Sequence, residues 1–278
     1  MAEVPVSAAI GPAAFAEGRA EWRTSGLVLV GHGALAPAGA TQALADHARA
    51  LAKRGLFAAV AAGFLKGTPA LESALDTMDL PRIYVVPCFM SEGHFVRTVL
   101  PGRLGITGPL AKRHGREIRY CGPRGTAPAL ADLVARRLEA SASDERVAIE
   151  TVDALIVGHG SSSNPASAAA TSALARRVAE RSAVRAVHTA YLDQAPALED
   201  VVARLTGRTL VVAGLFAADG RHADEDVRRR LGFVAGAFRA VRPDGRRVLY
   251  TGAIGADPAV VELIVERIEA FDAARRGD

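Results

Sequence analysis

Cysteine is nearly absent. The 278-residue chain has only Cys88 and Cys121, and neither has a second cysteine at metal-ligand spacing. That argues against a disulfide scaffold and a cysteine-cluster metal site, and makes a reducing cytoplasm the default compartment. Both thiols are expected to fill core space. No apolar run approaches the roughly 20 residues of a membrane span. The N-terminal stretch carries Glu3 and Glu17 and lacks a basic start followed by an apolar segment, so no secretory signal is expected. Lysine is scarce too, confined to Lys53, Lys66 and Lys112. The formal net charge of +4 is spread along the chain and not blocked, which argues against a nucleic-acid partner.

The basic charge that is present comes almost entirely from arginine, whose planar fork suits carboxylate and phosphate partners. Half of the residues are hydrophobic, enough to bury a substantial core. The length allows one large domain or two of ordinary size.

One local pattern occurs twice. Leu27-Val28-Leu29-Val30 runs into Gly31-His32-Gly33, and Leu155-Ile156-Val157 runs into Gly158-His159-Gly160. Each reads as a buried strand stopped by a histidine between glycines. The offset of 127 positions from His32 to His159 also relates Phe64-Leu65-Lys66 to Tyr191-Leu192-Asp193, and Pro69, Leu71 and Glu72 to Pro196, Leu198 and Glu199. His94 matches His222 at 128, and Gly122, Gly125 and Pro128 match Gly252, Gly255 and Pro258 at 130. A steady offset of this kind means an internal duplication.

In the first half, strands are predicted at 27–30, 57–65, 82–88 and 117–121. Helices are predicted at 41–54, 69–78, 95–100 (ending before Pro101) and 128–140, with a basic loop including Lys112, Arg113, His114 and Arg116. The second half repeats the order, with strands near 154–157, 183–192, 209–215 and 247–251 and helices near 166–181, 196–205, 223–237 and 258–274. Apolar strands alternating with helices predict an α/β fold: two similar flavodoxin-like domains, each a four-stranded parallel sheet flanked by helices. The expected boundaries are an N-terminal arm over 1–25, repeats over 26–140 and 151–278, and a linker over 141–150.

Ligands of open parallel sheets bind beyond the carboxyl ends of the strands, where strand order reverses. His32, Lys66 and His94 fall at three such ends in the first half; His159, Asp193 and His222 do so in the second. Histidine, carboxylate and histidine suit a divalent first-row metal. Glu92 and Asp219 precede the second histidine of each set and offer either a further ligand or a solvated loop acid. His47, His114 and His188 have no counterpart in the other half. They are read as a helix-surface, a basic-loop and a strand residue.

These residue sets resemble the sirohydrochlorin chelatases of the CbiX type, the ATP-independent class II chelatases. The similarity lies in Gly158-His159-Gly160-Ser161-Ser162-Ser163-Asn164-Pro165, Tyr191-Leu192-Asp193-Gln194-Ala195-Pro196 and Gly220-Arg221-His222-Ala223-Asp224-Glu225. Related forms stand in the first half: Gly31-His32-Gly33, Phe64-Leu65-Lys66 and Val85 to His94. Tyr120-Cys121-Gly122-Pro123 is similar to the longer, two-repeat members. The resemblance implies a two-lobed fold with a cleft, and insertion of Co²⁺, or Fe²⁺ or Ni²⁺, into sirohydrochlorin for cobalamin or sirohaem. It implies no ATP and no cofactor beyond the metal being inserted. Its catalytic and metal-binding roles carry to His159, His222, His32 and His94, with Asp193 in the acid position and Glu92 as a further ligand. Lys66 departs from the pattern: a cation there repels a metal, unless Glu92 substitutes. Arg97, Arg103 and Arg221 are candidates for substrate carboxylates, each with a surface salt bridge as the alternative. A monomer and a homodimer both fit. Two rivals are a non-catalytic tetrapyrrole or metal carrier, favoured by Lys66 and the short Asp193, and a histidine phosphatase, which needs an arginine where Gly31 and Gly158 stand.

Overall fold

The computed structural model describes residues 19–33, 39–161, 165–218, 220, 225–234 and 236–276. It contains two sheets of the same topology. The first comprises β1 (Gly26–Gly31), β2 (Ala59–Phe64), β3 (Arg82–Pro87), β4 (Leu110–Arg113) and β5 (Arg116–Tyr120), in the order β2-β1-β3-β5-β4. The second comprises β6 (Val152–Gly158), β7 (Ala186–Tyr191), β8 (Thr209–Gly214), β9 (Arg239–Val241) and β10 (Arg247–Ala253), in the order β7-β6-β8-β10-β9. All neighbours pair in parallel except the two edge strands β4 and β9. The central strands β1, β6 and β8 are buried along their whole length, as continuous Val/Leu/Ile runs covered on both faces must be.

The sheets thus have five strands, not the four expected. The additional ones are short. Leu110–Arg113 alternates exposed and half-buried residues, and β9 is only three residues long. Polar edges of this length carry almost no periodic signal, and charge on an edge also blocks pairing with another chain.

The helices bind the two sheets into one body. α1 (Gly39–Lys53), α2 (Leu71–Asp76), α3 (Leu100–Leu104) and α4 (Leu130–Asp144) belong to the first repeat; α5 (Ala166–Arg181), α6 (Leu198–Arg204), α7 (Val227–Arg230) and α8 (Val260–Arg276) belong to the second. The last helix of each repeat crosses over. α4 packs on α5 and against β8 and β10, while α8 packs on α1 and against β3. Leu130, Leu133, Val134 and Leu138 of α4 and Val261, Ile264, Val265 and Ile268 of α8 consequently share one buried cluster with Leu29 and Ile156 of the two central strands. At about 1.5–3 kcal/mol for each fully buried apolar side chain, this exchange is a strong tie between the halves.

A polar contact finishes the docking of α8. The buried Asp272 carboxylate accepts from Trp22 Nε1 at 2.8 Å, Tyr84 Oη at 2.9 Å and Arg119 Nη1 at 3.1 Å. Removal from water is tolerable for a charge paired and bonded this fully.

Several local expectations are corrected. Residues 19–22 form a helical turn, and Trp22 stacks on Phe57 with 5.1 Å between centroids; this end of the arm is therefore part of the core. Residues 1–18 lie outside the described residues. α4 continues to Asp144, into the stretch 141–150 read as a linker. The helix expected to end before Pro101 runs on from a π-helical turn (Phe95–Val99) into α3; Pro101 falls in its first turn, where an N–H is dispensable. The helix expected over 223–237 is, in the described residues, the short α7, after which Gly232 takes a φ of +77° and ends it. His47 is not on the surface: it is 3% exposed. Cys88 and Cys121 are buried, free thiols.

Candidate functional site

Sheet order sets β1 between β2 and β3, and β6 between β7 and β8. The strand ends carrying the predicted residues are adjacent for that reason. His32, Lys66 and His94 follow β1, β2 and β3; His159 and Asp193 follow β6 and β7. His222, with Asp219 and Arg221, lies outside the described residues.

The backbone at these ends is nearly the same in both repeats. The Lys66 amide donates to the His32 carbonyl at 2.8 Å, and the Asp193 amide to the His159 carbonyl at 2.9 Å. Gly33 and Gly160 adopt φ of +72° and +77°, a region that favours glycine. Space requires it as well. A Cβ at position 33 would lie 1.8 Å from the Lys66 carbonyl oxygen, and one at 160 would lie 2.7 Å from Gln194. Each histidine is thereby held where strand and neighbouring loop touch.

The side chains diverge from that common frame. In the second repeat, His159 Nδ1 is 3.1 Å from Asp193 Oδ2 and 3.2 Å from the Gly160 carbonyl oxygen. A carboxylate and a carbonyl only accept, so Nδ1 carries a proton; in the neutral ring the lone pair is then on Nε2. A carboxylate on one ring nitrogen fixes the tautomer and makes the other a better ligand or base. Gln194, part of the stretch quoted above but given no role there, accepts from the Ser161 amide at 2.7 Å and steadies the loop after His159.

In the first repeat, the His32 ring meets the edge of Phe95, 4.8 Å between centroids, and Phe95 lies 6.2 Å from the His94 ring. Phe89 stacks on the same Phe95 at 6.1 Å. Partial burial and the Lys66 charge push the His32 pKa below its ordinary value, so this imidazole is neutral at pH 7. Phe95, 40% exposed, went unnoticed in the sequence because a lone aromatic beside a histidine has no distinctive spacing. Glu92 faces Arg97, with 3.3 Å between Oε2 and Nη2.

The arginines offered for substrate carboxylates are partly committed. Arg103 holds Glu72 through two contacts of 2.6 and 2.5 Å and donates to the Leu65 carbonyl at 2.8 Å. Arg97 holds Glu92. Among the described residues, no three His, Cys, Asp or Glu side chains stand close enough together to enclose a metal ion.

A duplicated, doubly wound α/β chain with a histidine at the end of each central strand defines a class: the two-repeat relatives of the metal chelatases. The chain belongs to the CbiX family, whose model matches residues 26–141 and 153–271. It is 29% identical over 262 residues, 87% of this chain and 89% of the relative, to a Halobacterium salinarum protein named Probable sirohydrochlorin cobaltochelatase. Among solved structures, a multi-domain Deinococcus radiodurans protein with structural similarity to chelatases superposes with a TM-score of 0.73 at 27% identity. The match covers 88% of this chain and 54% of that one, so this chain spans about half of its length. The fold is also that of SirB from Bacillus subtilis, solved with Fe³⁺, at a TM-score of 0.71 and 20% identity over 92% of this chain and 98% of that chain.

Proposed function

We propose that this chain inserts a divalent metal, Co²⁺ foremost and Fe²⁺ or Ni²⁺ as alternatives, into sirohydrochlorin, and that the second repeat performs the chemistry. Family membership and the name of the Halobacterium relative support the reaction. The single observation that favours the second repeat is the His159–Asp193 contact of 3.1 Å, set against Lys66 at the equivalent place in the first. Insertion releases two protons from the pyrrole nitrogens as the metal enters, and it needs a weak, open ligand set that can let the ion go. His159, with Nδ1–H held by Asp193, presents Nε2 to the metal or to a pyrrole proton. His222, which follows β8 in the sequence, is the partner donor. Asp193 acts here chiefly by orienting His159, and is a direct ligand only if that contact opens.

His32, His94 and Glu92 form the weaker set. With Lys66 beside it, His32 suits a neutral proton acceptor at the cleft better than a metal ligand. The reaction is read as ATP-independent, in a cytoplasmic monomer or homodimer with repeats over 26–140 and 151–278. No helix among the described residues is long and apolar enough to cross a membrane.

The test is optical. Purified chain is mixed with excess sirohydrochlorin and Co²⁺, and absorbance is followed over many equivalents. Multiple turnovers are expected, with His159→Ala slower by about 10²–10⁴-fold, the range for a lost proton-transfer group. A change limited to one equivalent per chain would instead identify a carrier.

A further inference from the structure

The duplication is broken at a buried place besides the Asp272 cluster. Position 47 of α1 corresponds to Leu174 of α5 at the offset of 127, and Arg124, in the turn after β5, corresponds to Ile254 after β10 at the offset of 130. Leu174 and Ile254 are each 1% exposed, ordinary core residues. The first repeat puts His47 and Arg124 there instead, 3% and 2% exposed.

Their bonds run across to the second repeat. His47 Nε2 is 3.1 Å from the Asp257 carbonyl oxygen, and Arg124 Nη1 is 3.4 Å from His47 Nδ1. Arg124 Nη2 donates to the Ala217 carbonyl oxygen. The directions agree only for a neutral histidine: Nε2–H donates to Asp257, and Nδ1 accepts from the guanidinium. Burial and the Arg124 charge push the His47 pKa down to about 4, consistent with that tautomer.

The arrangement is costly. No carboxylate pairs with Arg124 among the described residues, and its buried Nε has no hydrogen-bond partner there. The Asp257 carboxylate is turned to Arg137, 3.3 Å away, and to the Ala259 amide. A buried, unpaired cation is retained against a plain apolar alternative that the same chain uses in its other half. Both acceptors lie on second-repeat loops at strand ends: Ala217 after β8, on the chain leading to His222, and Asp257 after β10.

We infer that His47 and Arg124 are positioning residues, through which the first repeat fixes the β8 loop of the second at Ala217. The inference rests on the reading that the second repeat carries the chemistry, and it explains why the half with Lys66 is kept. Neither side chain touches substrate.

The deciding variant is His47→Leu/Arg124→Ile, which copies the apolar pair of the second repeat. Its thermal midpoint should equal or exceed that of the parent. Amide exchange at 215–218 should quicken at least about fivefold, because the loop loses its side-chain anchor and keeps only backbone bonds such as Gly255 N–H to the Phe216 carbonyl. kcat for Co²⁺ insertion should fall at least about tenfold, with KM for sirohydrochlorin within about twofold, as expected for misplacement and not lost binding. Unchanged exchange overturns the inference whatever the rate does, and so does faster exchange with kcat within twofold of the parent. If the parent itself fails to insert metal, the chelatase reading falls, and the exchange measurement alone then decides whether the pair holds the loop. Should the double variant not fold, Arg124→Met is scored on the same readouts and thresholds.

Discussion

At the ends of β1 and β6 the same backbone presents two different pieces of chemistry. His32 and His159 follow a glycine, precede a left-handed glycine, and receive the same amide bond from the neighbouring strand end. Yet one imidazole stands beside a lysine and an aromatic edge, the other beside a carboxylate. The backbone is shared between the repeats, and the side chain after the next strand, Lys66 or Asp193, is what differs; under the proposed function that difference divides the roles. A cation at position 66 favours neutral imidazole and disfavours a metal. A carboxylate at 193 orders the ring and shares positive charge.

The sharpest way to break that comparison is to exchange the two side chains. Asp193→Lys should cost at least about a hundredfold in initial insertion rate, within the range of losing a supporting carboxylate and adding repulsion. Lys66→Asp should leave turnover within a few-fold. Comparable losses in both would mean that the two ends contribute equally.

The buried pair behind the sites gives a smaller effect. The folded pKa of His47 is about 4, below the unfolded value of about 6.5. Between these the unfolded chain binds more protons, so stability is full above pH 6.5 and is lost as pH falls toward 4. The span corresponds to about 3 kcal/mol. Urea midpoints from pH 4.5 to 7 should show this slope in the parent and not in His47→Leu. The smallest effect is local: Lys66→Gln should raise the His32 pKa, read by NMR titration, because one of the two causes of its depression is gone.

Much of this was legible in residue order. Continuous apolar runs named the inner strands, and fixed offsets named the duplication, because buried strand ends tolerate little change in length. The edge strands β4 and β9 were not legible, being only four and three residues long. His47 was misread by residue type. It lies three after Leu44 and four before Leu51, so helical spacing alone puts it on the buried face. What hid it was the lack of a counterpart histidine: the second half has Leu174 at that place. Trp22 was passed over in an Ala- and Gly-rich arm, although the only tryptophan of the chain is an obvious candidate for burial. The pairing of His159 with Asp193 could be inferred as adjacency of strand ends, but not as a bond to Nδ1, which depends on the rotamer.

The central claim, that metal is handled at the second repeat, is tested most directly by titrating Co²⁺ into the chain without tetrapyrrole and following its visible absorption. One equivalent should bind with an imidazole-ligated spectrum that disappears in His159→Ala and persists in His32→Ala. A spectrum that survives His159→Ala and vanishes in His32→Ala would contradict the account.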